Sequence, residues 1–136
     1  MRILLVEDDH LQRAAARQAL QTSLDAEIQI MKTEFEFFDS FEATAANPPS
    51  VVILDRMLRW VDPKPNIPAP PDGARENAGL RCAQKLRNDP RTRSVRIIFY
   101  SVLERDDSGA YEKFDQLVKD AGFDELIDHI RSGRTN

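Results

Sequence analysis

The chain has 136 residues, of which 41% are hydrophobic and 31% charged, with a formal net charge of −4. That length and composition suit one folded domain over residues 1–136 and exclude fibrous or disordered classes. The single cysteine, Cys82, rules out an intrachain disulfide framework, the acidic balance disfavours direct nucleic-acid binding, and no run nears the roughly 18 apolar residues that cross a bilayer.

Residues 3–6 are a short apolar run ending in acids, which predicts a strand buried on both faces. The run is too short for the apolar core of a secretory signal, so the expected location is cytoplasmic, with no membrane contact. Asp9 is placed to cap a helix over 10–24, with Leu11, Ala14, Ala15, Gln18 and the Ala19/Leu20 pair at helical spacing. Ile28, Ile30 and Met31 predict a second strand. A helix follows over 36–46, with Phe37, Phe38 and Phe41 on one side, and Asn47-Pro48-Pro49-Ser50 breaks it.

Val51-Val52-Ile53-Leu54 predicts a third buried strand that runs directly into Asp55. The next stretch is rich in proline, at 63, 65, 68, 70 and 71. It predicts an irregular loop insertion over about 60–77, far longer than an ordinary strand-to-helix connection. A third helix is expected over 79–88, a fourth strand over 95–100, a short helix over 108–114, a weak fifth strand over 116–118 and a last amphipathic helix over 123–132. Alternating strands and helices predict a parallel sheet covered on both faces.

In such a sheet, ligands bind beyond the carboxyl ends of the strands. The residues expected there are Glu7, Asp8 and Asp9 after the first strand, Asp55 after the third, Ser101 after the fourth and Lys119 after the fifth. Carboxylates brought together repel one another, and a hard divalent cation such as Mg²⁺ relieves this with oxygen ligands. Asp8 and Asp55 are placed to bind it, and Asp55 could act as nucleophile toward a phosphoryl group. Lys119 would offset charge on the transferring group, and Ser101 would hydrogen-bond a phosphate oxygen.

These pieces together resemble a response-regulator receiver domain of two-component signalling. The matching segments are Ile3-Leu4-Leu5-Val6-Glu7-Asp8-Asp9, Val52-Ile53-Leu54-Asp55, Ile97-Ile98-Phe99-Tyr100-Ser101, and Lys119 with Leu126 seven residues on. The resemblance implies an α/β, flavodoxin-like, doubly wound sheet of five parallel strands in the order 2-1-3-4-5. It implies Asp55 as phosphoacceptor, Ser101 as switch hydroxyl and Lys119 as the phosphate-pairing lysine. The metal set it implies is Asp8, Asp55 and the Met57 backbone carbonyl, with Glu7 acting mainly through water. The phosphoryl donor would be a sensor histidine kinase or phosphotransfer protein, and the output a contact with a downstream protein or a homodimer partner. No output domain is expected after the last helix, unless the chain is a piece of a longer one.

The sequence departs from that pattern in places. Arg59 stands four residues after the acceptor, where a proline is usual, and the loop beyond it is unusually long. Gln116 replaces an aromatic residue that changes rotamer on activation, and Asp120 replaces the proline after the lysine. The interval from Ser101 to Lys119 is short, so the helix within it is expected to be stunted. The resemblance also assigns control of phosphoryl lifetime to the positions of Met57 and Leu103, both apolar here, with Val102 narrowing access. A long-lived phosphorylated state is expected.

Two rival functions remain. A magnesium-dependent phosphohydrolase with an aspartyl nucleophile would carry a second aspartate where Met57 stands, so an enzyme is disfavoured. A receiver-like interaction domain that is never phosphorylated is disfavoured by the intact set of acids, Ser101 and Lys119. Phe35, Phe37, Phe38 and Phe41 read as packing residues, Cys82 as a packed thiol, and His10 and His129 as surface residues. Trp60 either anchors the long loop or is exposed to a partner.

Overall fold

The computed structural model describes residues 1–61, 75–107, 109–120 and 122–133. The prolines of the long loop lie outside them. Five strands, β1 (Arg2–Val6), β2 (Glu27–Met31), β3 (Val51–Leu54), β4 (Arg96–Ser101) and β5 (Asp115–Val118), form one parallel sheet in the order β2-β1-β3-β4-β5. β1 sits between β2 and β3, pairing Leu5 with Ile30 on one side and with Ile53 on the other. The inner strands β1, β3 and β4 are buried almost throughout, which explains why their sequences are continuous apolar runs instead of alternating ones.

The strand pleat divides those runs between two cores. Ile3, Leu5, Val51, Ile53 and Ile98 pack against α1 (His10–Leu24) and α5 (Asp124–Arg131). Leu4, Val6, Val52, Leu54 and Ile97 pack on the opposite face against α2 (Glu34–Asp39), α3 (Phe41–Ala46) and α4 (Ala78–Asn88). Leu58 and Cys82 are fully enclosed in this second core. Burial pushes the Cys82 thiol well above its ordinary pKa, so it is a packing group, not a nucleophile.

Asp9 caps α1, its Oδ1 accepting from the Gln12 N–H at 2.8 Å. The buried face of this helix differs from the expected one. Ala16 and Leu20 are buried, while Ala14, Ala15 and Gln18 are exposed and Leu11 is 77% exposed. Alanines at 14, 15 and 16 leave the helical phase undetermined in sequence, and the packing partners settle it. The single helix expected over 36–46 is two, α2 and α3, divided at Ser40, whose φ of −96° and ψ of 6° lie outside the helical region. Asp39 and Ser40 are residues whose side chains compete for local backbone groups, which favours such a break.

Two further expectations change. Residues 75–77, assigned to the loop, form a 3₁₀ turn that leads into α4. Between β4 and β5 the described residues contain no α-helix, only the 3₁₀ turn Gly109–Tyr111, in agreement with the short interval there. Gly109 has φ of +58°, which an α-helix does not accept. His129 is half-buried and lies 2.8 Å from the Asp115 carboxylate, so it is not a plain surface residue. Among the described residues, no helix is long and apolar enough to cross a membrane.

Candidate functional site

Parallel pairing places the carboxyl ends of β1, β3 and β5 along one edge of the sheet, and each strand delivers its chemistry one residue beyond that edge. The backbone of each such residue still belongs to the ladder. Glu7 N–H donates to the Met31 carbonyl at 3.1 Å, Asp55 N–H to Val6 at 3.1 Å, and Lys119 N–H to Ser101 at 2.8 Å. The side chains therefore start from backbone positions that the sheet's own hydrogen bonds hold in place.

Lys119 joins two of them. Its Nζ donates to Glu7 Oε1 at 2.5 Å and to Asp55 Oδ2 at 2.8 Å. The other oxygen of Asp55, Oδ1, accepts from the Met57 N–H at 3.3 Å, and Glu7 Oε2 accepts from the Asp9 N–H at 3.2 Å. Glu7, Asp8 and Asp55 each bring a carboxylate oxygen within 4.8 Å of the others. Burial, followed by the neighbouring Asp55 charge, raises the Glu7 carboxyl from 4.5 to about 7, although Lys119 pulls the other way. Burial lowers the Lys119 ammonium, but its hydrogen bonds to Asp55 and Glu7 outweigh this and leave its pKa above the ordinary value. Three carboxylates thus converge here, with Lys119 on Glu7 and Asp55 and with Arg75 on Asp8. A convergent, all-oxygen donor set of this kind fits a hard divalent cation.

These groups open into a cleft of about 510 Å³ whose walls include Asp55, Met57, Lys119, Val102 and Arg75. Val102 is 70% exposed at its mouth. Ser101 is not a wall of this cleft. It is buried, and its Oγ accepts from the Leu103 N–H at 3.2 Å. Leu103 lines a separate hollow with Arg56 and residues 104–107, so of the two lifetime positions only Met57 faces the site.

Several contributors escaped the sequence reading. Arg13 on α1 donates to the carbonyls of Asp8 and Glu7, at 3.0 and 3.3 Å, and braces the acidic turn. Asp8 Oδ2 accepts from the Arg59 N–H at 2.9 Å and from Arg75 Nη2 at 3.2 Å. Nothing in residue spacing signals these pairs. Gly79 packs against the backbone of Asp55, and a glycine at a helix start is a legible signal for such close approach. Trp60 anchors the beginning of the long loop. Its carbonyl accepts from the Phe35 N–H at 2.8 Å, and its ring meets Phe35 edge-on with centroids 5.4 Å apart.

No protein-family model matches the sequence, and no curated protein matches it. Solved structures do. The signal receiver domain of a DNA-binding response regulator from Colwellia psychrerythraea 34H superposes with a TM-score of 0.72 at 21% identity, over 97% of this chain and 96% of that one. The response regulator TrrA from Thermotoga maritima, solved in complex with Mg²⁺-BeF, gives 0.70 at 23% identity, over 96% of each chain. The bacteriophytochrome response regulator RtBRR gives 0.70 at 26% identity, over 96% of this chain and 75% of that one.

The fold is that of a response-regulator receiver domain. Within this receiver fold, Gln116 has a distinct place. It is buried in β5, and its amide accepts from the Asp106 N–H at 2.9 Å while donating to the Asp106 carbonyl at 2.7 Å and to the Tyr111 carbonyl at 3.2 Å. A side chain pinned at both ends of its amide ties β5 to the β4–β5 connection, where an aromatic residue would be held by packing alone. At the next position of interest, the Tyr100 hydroxyl lies 3.0 Å from the Asp120 carboxylate and accepts from the Asp120 N–H at 3.1 Å. Its phenol is pushed up to about 12, first by burial.

Proposed function

We propose that this chain is a phosphorylation-controlled signalling switch, with Asp55 as the acceptor of a phosphoryl group delivered by a histidine kinase or phosphotransfer protein. The observation that carries the reading is the convergence of Glu7, Asp8 and Asp55 around one point, with Lys119 bonded to both Glu7 and Asp55. Receiver domains among its structural neighbours support it, as does TrrA, which was solved with Mg²⁺-BeF.

In this reading Asp8, Asp55 and the Met57 carbonyl would hold Mg²⁺, with Glu7 acting mainly through water, and the ion would supply charge neutralisation for the phosphoryl oxygens. Asp55 approaches the phosphorus through a carboxylate oxygen. The new O–P bond forms as the P–N bond to the donor imidazole breaks, and the imidazole keeps the electron pair. The Met57 N–H on Oδ1 and the Lys119 ammonium on Oδ2 fix the carboxylate plane before reaction, which removes an orientational cost. Lys119 stays cationic throughout and pairs with the phosphoryl oxygens in the product. The Ser101 Oγ accepts from the Leu103 N–H, which leaves its own O–H free to donate to a phosphoryl oxygen once the side chain turns toward the site.

A phosphohydrolase needs a proton donor and acceptor where Met57 stands, and thioether sulfur is neither, so the acceptor role is favoured over turnover. The phosphorylated domain would act by protein–protein contact, with a homodimer as one form of it. Incubation with acetyl phosphate and Mg²⁺, read by intact mass, tests the reading. A single added phosphoryl group is expected in the wild type and none in Asp55→Asn. Lys119→Met is expected to stay folded yet lose at least about tenfold in rate. Phosphorylation that persists in Asp55→Asn would overturn the assignment.

A further inference from the structure

Three hydrogen-bond or ion-pair contacts meet on one oxygen of one residue. Asp8 Oδ2 accepts from the Arg59 N–H at 2.9 Å, lies 3.9 Å from Arg59 Nε, and pairs with Arg75 Nη2 at 3.2 Å. We propose that Arg75 is a resident counter-cation of the site, which competes with the divalent ion for Asp8 and so sets the ion concentration at which the domain becomes competent for phosphorylation. The inference rests on the magnesium-dependent reading above and adds a residue that the reading does not need.

The partners of Asp8 differ in kind. Arg59 reaches Asp8 chiefly through its backbone N–H, which carries no net charge and orients the carboxylate, while its guanidinium stands off at 3.9 Å, farther than that of Arg75 at 3.2 Å. Arg75 brings a full positive charge, and it brings it from the solvent side. The Asp8 side chain is 10% exposed, whereas that of Arg75 is 55% exposed. A guanidinium that is half in water leaves at little cost, because its hydration is largely intact already. An incoming ion need only outbid a weak pair, yet it must do so every time. Arg75 also lines the same cleft as Asp55 and Lys119. Its charge therefore acts on a divalent ion there even when the contact with Asp8 is broken. Both effects have one sign, which is a weaker grip on the ion. An alternative role, in which Arg75 merely orients Asp8 for metal binding, has the opposite sign.

The test is a Mg²⁺ titration of the whole chain, followed by fluorescence of the single tryptophan, Trp60, which is covalently next to Arg59, and by calorimetry. Arg75→Gln is expected to bind Mg²⁺ about threefold to tenfold more tightly than the wild type, with Arg75→Lys in between. In an Asp8→Asn background, the gain from Arg75→Gln is expected to shrink, since the shared carboxylate is gone. Arg75→Gln with unchanged or weaker affinity overturns the proposal, the weaker result assigning Arg75 to orientation. The two readings fail separately. A wild type that binds no Mg²⁺ and takes no phosphoryl group sinks the phosphoacceptor reading. A wild type that does both, beside an unaltered Arg75→Gln titration, sinks the role of Arg75 alone.

Discussion

A Cβ on Gly79 would stand 2.1 Å from the carbonyl oxygen of Asp55, and 2.9 Å from the Cα of Arg56. The first turn of α4 thus lies directly on the backbone of the proposed phosphoacceptor, with the Gly79 N–H donating to the Arg56 carbonyl at 3.0 Å. The obstacle is backbone on the strand side, so it has little freedom to yield. Gly79→Ala is expected to destabilise the domain by about 1–3 kcal/mol in urea unfolding. It should also slow phosphorylation, because relief of the clash moves Asp55. A variant as stable as the wild type would show that α4 can retreat without cost.

The raised Glu7 carboxyl gives a pH signature. In the fold it titrates near 7 in place of 4.5, so between those values the folded chain binds more protons than the unfolded chain. Stability from this group is complete below pH 4.5 and is lost as the pH rises through 7. In metal-free buffer the wild type should lose stability relative to Glu7→Gln from pH 5 to pH 8, by an amount on the order of 1–3 kcal/mol. Urea midpoints at the two pH values measure it. A stability difference that does not change with pH would mean that Lys119 already holds Glu7 ionised.

Gln116 is expected to hold the β4–β5 connection in place. Gln116→Leu fills the same volume but leaves the N–H and carbonyl of Asp106 without the amide. A loss of about 1–3 kcal/mol is expected. Faster amide exchange should be confined to residues near 103–111, and the phosphoacceptor chemistry should survive. Exchange unchanged at Asp106 would show that other contacts carry the connection, which also has the Arg56 guanidinium bonded to the Glu104 carbonyl at 2.9 Å.

Met57 faces the cleft, while Leu103 does not. An apolar thioether beside the proposed acyl phosphate would have no means of orienting water for attack. The phosphorylated state is expected to persist well beyond seconds, as followed by phosphate release. Met57→Asn should shorten it severalfold, and Leu103→Asn should leave it nearly unchanged. Equal effects at both positions would show that the β4–β5 connection rearranges toward the site.

The sequence by itself determined the sheet and its polarity. The continuous apolar runs at β1, β3 and β4 are short and rich in β-branched residues, which marks them as strands buried on both faces, and each is followed or ended by a polar residue, so the positions of the candidate site at the strand ends were legible with them. Lys119 taken alone is one of 19 Lys and Arg residues in the sequence, and no local pattern sets it apart from a surface charge. Only the pairing of β4 with β5 brings its ammonium within reach of Glu7 and Asp55, across a separation of 112 residues from Glu7. The buried face of α1 was decided by its packing partners, because adjacent alanines carry no phase. The pairing of Arg75 with Asp8 and the contact of Gly79 with Asp55 were likewise decided by the tertiary structure. The reason is common to all of these. Burial along a strand is a local property that its own residues record, whereas an ion pair or a steric contact depends on where two distant segments meet, and no local pattern encodes that meeting.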